Sequence, residues 1–271
     1  MPPNWRNTRQ RQNNAVVDTV KLGLAPAPGF RLVVVGGCGG IGRAVTAAAT
    51  GLGLKVCVTD LPRSLDTHPV PDGVAGVAFD ATRPGEVEAG MNAAAAVLGG
   101  IDGIVNLPGF ANRAAPIDEL DPGEWDETIE GNLRSIYLCC RFALPYLKRA
   151  PAGAIVNMSS GQGVRPLPRF SAYSAAKAGV ISLTKSLAAE HAPVRANAIA
   201  PGAVTTAFFT GGTGREAREN TFDIDAYART VPLGRAATPE DIVGPILFLL
   251  GPAAGFVNGQ VLHINGGGLM P

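Results

Sequence analysis

The sequence predicts a single doubly wound α/β domain, a parallel sheet of about seven strands covered by helices on both faces. Three observations predict it. The aliphatic run Leu32-Val33-Val34-Val35 suits a strand buried on both sides. It passes directly into Gly36-Gly37-Cys38-Gly39-Gly40-Ile41-Gly42 and then into a helical, alanine-rich stretch opening at Arg43. Strand-like and helical stretches then alternate to the end of the chain, as βαβ units do.

The 271 residues suffice for one large domain, and no break in composition argues for two. Hydrophobic residues make up 46% and charged residues 17%, enough for a substantial core. A net charge of +1 offers no basic footprint for nucleic acid or an anionic membrane, so the expected partners are a small molecule and further copies of the chain. Cys38, Cys57, Cys139 and Cys140 lack C-x-x-C spacing and read as buried reduced thiols of a cytoplasmic protein. His68, His191 and His263 are scattered, so no metal site is expected. No apolar run reaches membrane-spanning length, and the N-terminus shows no signal-peptide core. Residues 1–29 are polar and basic and end in Ala-Pro-Ala-Pro-Gly. They read as an extension, a surface-docked arm or alternatively a transit peptide, ahead of a main domain of residues 30–271.

The first strand and its glycine turn form the expected phosphate cradle, because glycine lets backbone N–H groups approach an anion at the positive end of a helix. Residues 55–60 form the second strand and end in Asp60, about 20 residues past the turn, where a carboxylate binds ribose hydroxyls and repels a 2′-phosphate. With Gly39 and Leu61 uncharged, NAD is favoured over NADP, and Arg63 is the one reservation. Strands follow at 74–79 and 101–106, with a helix over 84–98 between them. Residues 122–149 read as one long helix, kinked near its end by Pro145. Its apolar positions Ile129, Leu133, Ile136, Tyr137, Cys140 and Leu144 share a face that Leu138 and Phe142 lie outside, which points to burial on two sides and a subunit interface. A strand over 154–158 delivers Ser159 and Ser160 to the sheet edge where doubly wound folds bind ligands. After a strand over 195–200, residues 203–230 carry Phe208, Phe209, Phe222 and Tyr227 among glycines and polar groups, the composition of a lid over an apolar site. A helix after Pro239 and a strand over 260–264 close the domain.

The stretch Ser171-Ala172-Tyr173-Ser174-Ala175-Ala176-Lys177 opens a helix and puts a phenol and an amine on one face. A tyrosine titrates near ~10 and needs help to shuttle protons at neutral pH. One cation at ~4 Å with an effective dielectric of ~20 favours the phenolate by roughly 4 kcal/mol, about 3 pKa units. Burial works in the opposite direction, so a second positive charge, such as an oxidised nicotinamide, would help.

From Arg31 to Gly268 the chain resembles the short-chain dehydrogenase/reductase family. Its glycine motif is matched by Gly36, Gly40 and Gly42, with Val35 where a threonine is usual. The family's Asn-Asn-Ala-Gly appears as Asn106-Leu107-Pro108-Gly109. The resemblance implies a Rossmann-type domain and a homotetramer. It implies a catalytic set of Ser160, Tyr173, Lys177 and Asn132, in which Ser160 holds the substrate oxygen and Tyr173 moves its proton. Lys177 would lower the tyrosine pKa and hold the nicotinamide ribose, and Asn132 would anchor a water. The implied cofactor-binding set is Gly36, Cys38, Gly39, Gly40, Ile41, Gly42, Asp60, Leu61, Asp80, Ala81, Asn106, Pro108, Gly109, Tyr173, Lys177, Pro201, Gly202, Val204 and Thr206.

The aromatic content points to a substrate pocket of Phe110, Gln162, Phe170, Phe208 and Phe209, and so to an apolar, cyclic or aromatic secondary alcohol or ketone. Arg165 and Arg169 read as surface cations or as holders of a carboxylate. Two alternatives remain: an NADPH-dependent 3-oxoacyl-carrier-protein reductase and a non-catalytic NAD-binding redox sensor.

Overall fold

The computed structural model of the protein describes residues 23–220 and 222–271. Seven strands form one parallel sheet: β1 (Arg31–Val35), β2 (Lys55–Asp60), β3 (Ala75–Ala78), β4 (Gly103–Asn106), β5 (Ala154–Met158), β6 (Arg195–Pro201) and β7 (Val261–Ile264). Their order across the sheet is β3-β2-β1-β4-β5-β6-β7, and each neighbouring pair is parallel. The order in which strands are added to the sheet reverses between β1 and β4, which opens a crevice beyond the carboxyl ends of those strands.

The aliphatic runs are explained by burial on both faces. In β1 the side chains of Val33 and Val35 join one core and those of Leu32 and Val34 the other, as period-2 geometry requires. The first core packs against α3 (Pro84–Leu98), α5 (Ser135–Leu147) and α6 (Ser171–Glu190) through Val87, Met91, Ile136, Cys140, Val180 and Leu187. The second packs against α1 (Gly40–Gly51) and α8 (Pro239–Leu250) through Val45, Ala49, Ile242, Ile246 and Leu249. Short helices α2 (Pro62–Thr67) and α7 (Ile224–Thr230) lie in the connections after β2 and within the lid.

The single helix expected over 122–149 is three pieces. Helix α4 (Pro122–Ile129) runs into a π turn over Glu130–Arg134, and α5 follows. The interruption falls at Asn132, and α5 continues past Pro145 to Leu147. A π turn inserts an extra residue and re-aims what it carries. On α5 Leu138 is buried and Tyr137 is 43% exposed, so the apolar surface is split between core and solvent.

Residues 1–22 of the expected N-terminal extension lie outside the described residues. The part described, 23–29, is tied to the domain: Ala253 N–H donates to the Gly23 carbonyl and Gly29 N–H to that of Gly53. No helix among the described residues is long and apolar enough to cross a membrane.

Candidate active site

A cleft of about 730 Å³ lies along the carboxyl edge of the sheet. Its floor at one end is the turn between β1 and α1. Gly36 has φ +73°, which favours glycine, and a Cβ at Gly42 would sit 2.5 Å from the Gly37 Cα and 2.6 Å from the Gly36 carbonyl oxygen. No side chain among the described residues caps the N-terminus of α1, and no acidic residue stands in its first turn. Its free N–H groups and positive dipole end therefore face the cleft through Gly40, Ile41 and Gly42, and suit a pyrophosphate. Asp60 closes this end, accepting from the Cys38 N–H at 3.0 Å and the Leu61 N–H at 2.8 Å. Asp80 and Ala81 line the cleft beside it.

Helix α6 brings the phenol and amine to the middle of the cleft. Asn112 Oδ1 accepts from the Tyr173 N–H at 3.2 Å, which fixes the first turn. Ser159 Oγ donates to the Lys177 carbonyl at 2.8 Å, and a Cβ at Gly163 would lie 2.8 Å from that carbonyl. The end of β5 is thus locked against α6, and Ser160, Tyr173 and Lys177 line the same wall. Lys177 Nζ lies 5.6 Å from the centre of the Tyr173 ring and donates to the Met158 carbonyl at 3.1 Å.

Burial dominates the charges here. It pushes the Tyr173 phenol up to about 12, against a smaller lowering by a hydrogen bond with Ser160. It pushes Lys177 down to about 7. Desolvation therefore raises the phenol, the direction in which burial is expected to work against Lys177.

Asn132, Cys38, Asn106 and Phe170 do not line the cleft, contrary to the direct contacts expected of the last three. Cys38 is buried with its Sγ toward the His68 carbonyl, and its backbone N–H donates to Asp60. Asn106 Nδ2 donates to Asn157 Oδ1 at 2.8 Å within the core. Phe170 precedes the first turn of α6 and its carbonyl accepts from Ser174 N–H, while Leu167 takes a place in the cleft. Asn132 sits one layer deeper. Its Nδ2 donates to the Phe110 and Thr128 carbonyls, and its buried Oδ1 has no partner among the described residues. A Cβ at Gly109 would collide with that oxygen and meet Lys177 Nζ at 3.0 Å, so the two polar groups flank Gly109. The unusual Leu107-Pro108 keeps Pro108 and Gly109 in the cleft.

The remaining expected residues line the cleft: Gly36, Gly39, Leu61, Phe110, Gln162, Pro201, Gly202, Val204, Thr206, Phe208 and Phe209. The lid contributes an aromatic chain, with ring centroids of Tyr173 and Phe208 5.7 Å apart, Phe208 and Phe209 5.7 Å, and Phe209 and Phe222 4.4 Å. Tyr227 Oη accepts from the Ala203 N–H at 3.1 Å and anchors α7 to the end of β6. Sequence reasoning missed Leu167, Glu127 and Arg215. Arg215 lies 3.5 Å over the Phe110 ring and 2.6 Å from Glu127, a contact between lid and α4 that no local signal announces. No cluster of metal-ligating side chains is present among the described residues.

The geometry agrees with what the chain is similar to. A family model described as Enoyl-(Acyl carrier protein) reductase matches residues 36–268. Cis-4-hydroxycyclohexanecarboxylate dehydrogenase of Sinomonas cyclohexanicum is 37% identical over 243 residues, covering 87% of this chain and 94% of that protein. The 3beta-hydroxysteroid dehydrogenase 1 of Eggerthella lenta is 33% identical over 253 residues, covering 88% and 93%. Among solved structures, the short-chain dehydrogenase/reductase "Glucose/ribitol dehydrogenase" of Brucella melitensis superposes with a TM-score of 0.82 at 31% identity, covering 91% of this chain and 99% of that one. The chain belongs to the short-chain dehydrogenase/reductase family. It is an NAD(P)-dependent oxidoreductase of the alcohol dehydrogenase and ketoreductase kind, acting on a small molecule.

Proposed function

We propose that residues 30–271 form a catalytic domain that interconverts a secondary alcohol and a ketone on an apolar ring, with NAD as the preferred nucleotide. The observation that carries this reading is that half-buried Ser160 and buried Tyr173 and Lys177 line one cleft together with Phe110, Phe208 and Phe209. The similar proteins named above act, by their names, on a hydroxycyclohexane and a hydroxysteroid, both ring alcohols.

When bound, the nicotinamide supplies the hydride acceptor and a positive charge. Ser160 orients the substrate oxygen by hydrogen bonding, and Tyr173 takes its proton as the alcohol is oxidised. Lys177 stabilises the phenolate and holds the nicotinamide ribose. Asn132 Oδ1, unpartnered and beside Lys177, suits a bridging water that carries the proton onward. The glycine turn and α1 hold the pyrophosphate, and Asp60 favours NAD by accepting from ribose hydroxyls and repelling a 2′-phosphate. Asp80, Ala81, Pro108, Gly109, Pro201, Gly202, Val204 and Thr206 complete the nucleotide wall.

The protein is further proposed to work in the cytoplasm as a homotetramer. Exposed Tyr137 on α5 and the small exposed residues Ala175, Ala178 and Ser182 on α6 support a helix-to-helix interface. Light scattering that gives a clean monomer at micromolar concentration overturns the assembly.

Oxidation of a panel of ring alcohols with NAD and with NADP, followed at 340 nm, tests the activity. Turnover of ring alcohols with NAD is expected. Preferential reduction of a 3-oxoacyl thioester with NADPH would instead support the acyl-carrier reading, and tight NAD binding with no turnover of any substrate the redox sensor.

A further inference from the structure

The charged side chains that line the cleft divide into compensated and free. Glu130 pairs with Arg134 at 3.4 Å, Glu127 with Arg215 at 2.6 Å, and Asp80 with Arg83 at 4.0 Å. Asp60 is held by two backbone N–H groups. Arg63, likewise without a side-chain hydrogen bond or ion pair among the described residues, belongs to the nucleotide end, two residues beyond Leu61, and Lys177 belongs to the catalytic wall, where it donates to the Met158 carbonyl. That leaves Arg165, whose guanidinium has no hydrogen-bond or ion-pair partner among the described residues.

Its backbone is fixed close to the reacting groups. The Arg165 N–H donates to the Gly161 carbonyl at 2.9 Å, and the turn Gly161–Gly163 is packed against α6 at Gly163 and tied to it by a Ser174–Gln162 hydrogen bond of 3.2 Å. The guanidinium therefore springs from a rigid base five residues past Ser160. Arg169 does not share this position: it stays out of the cleft lining, and its Nη2 donates to the Ala114 carbonyl at 3.0 Å. Arg165 lines the cleft, as do Leu167, Phe208 and Phe209, so a cation without a partner among the described residues shares the cleft with apolar side chains.

We propose that Arg165 determines specificity by binding an acidic group, a carboxylate or sulfonate, carried on the ring of the substrate away from its hydroxyl. The inference rests on the ring-alcohol reading above and names its substrate class. A planar guanidinium forks both oxygens of such a group, whereas a neutral ring alcohol leaves it to water. Because Arg165 is exposed at the rim, the attraction is partly screened and weakens with salt. The same guanidinium meets the requirements of a nucleotide phosphate, and the test separates the two anions.

The test is calorimetric binding of cyclohexanecarboxylate and of the isosteric cyclohexanecarboxamide to the NAD-loaded protein, with ring-alcohol turnover measured separately. The acid is expected to bind about three- to fivefold tighter at low salt. Arg165→Gln should bring the two within twofold with NAD affinity unchanged, and Arg165→Lys should keep part of the preference. Equal binding of acid and amide to the wild type overturns the proposal. So does an acid preference that survives Arg165→Gln, or a loss of NAD affinity in that variant without loss of acid binding. A preference for the acid that Arg165→Gln erases, in a protein that turns over no ring alcohol, supports the acid site and counts only against ring-alcohol oxidation.

Discussion

Lys177 Nζ lies 5.6 Å from the centre of the Tyr173 ring, one helical turn away and, like it, buried, and donates to the Met158 carbonyl at 3.1 Å. Without a bound nucleotide this geometry favours the neutral form of both groups. The phenol is pushed up to about 12 and the amine down to about 7, each by burial. Proton transfer at neutral pH therefore requires more positive charge than Lys177 supplies alone.

The first prediction is a pH-dependent stability of the nucleotide-free protein. Below about 7 both folded and unfolded chains protonate Lys177, and the fold bears the full penalty of a buried cation. Between about 7 and the ordinary 10.5 the unfolded chain holds the extra proton, so stability rises with pH. Tyr173 has the opposite sign, because the unfolded chain ionises first above 10 and stability falls toward about 12. Lys177→Met should gain stability relative to wild type most at pH 6 to 7 and least near pH 10. Urea denaturation of both proteins across that range checks it, and a pH-independent difference counts against a neutralised Lys177.

Asp60 carries the second prediction. Asp60→Ser removes the ribose acceptor and the repulsion of a 2′-phosphate, and leaves Arg63 nearby without a competing carboxylate. NAD should bind at least about fivefold more weakly and NADP more tightly. Because Asp60 also holds the Cys38 and Leu61 N–H groups, a modest fall in thermal stability should accompany the change. If titration shows both nucleotides within twofold of wild type, Asp60 serves only the turn.

Much of this fold is legible in the sequence because its signals are local. The five inner strands are buried and the edge strands β3 and β7 only partly so, and the glycine turn is marked by both flanking elements. The i,i+4 pair at Tyr173 and Lys177 needs only helical geometry. What failed depends on tertiary context. The π turn at Glu130–Arg134 has no compositional mark, since the stretch is helical on either side. Cys38, Asn106 and Phe170 stand at the expected positions along the chain, but spacing does not say whether a side chain faces cleft or core. Arg215 lies on Phe110 only because the lid crosses back over the cleft, a path set by packing among Phe208, Phe209, Phe222 and Tyr227.

Third, the two ends of α1 should respond oppositely to a single methyl group. Gly42→Ala drives a Cβ into the backbone of Gly36 and Gly37, and should lower thermal stability and weaken NAD binding at least about tenfold. Gly51→Ala meets nothing within 4 Å and should leave binding intact while raising stability by up to ~1 kcal/mol. Thermal melts and nucleotide titrations of the pair give the comparison. Equal behaviour of the two variants contradicts the cradle.

The central claim, that the Tyr173 hydroxyl moves the proton, is tested most directly by the turnover of Tyr173→Phe with NAD binding measured on the same preparation. The variant keeps the ring, its 5.7 Å contact with Phe208 and its packing, so the fold and the nucleotide site should change little. General acid–base catalysis contributes roughly 10²- to 10⁴-fold, and turnover should fall at least about a hundredfold with NAD affinity unchanged. A variant that binds NAD normally and keeps more than about a tenth of wild-type turnover would remove Tyr173 from the reaction.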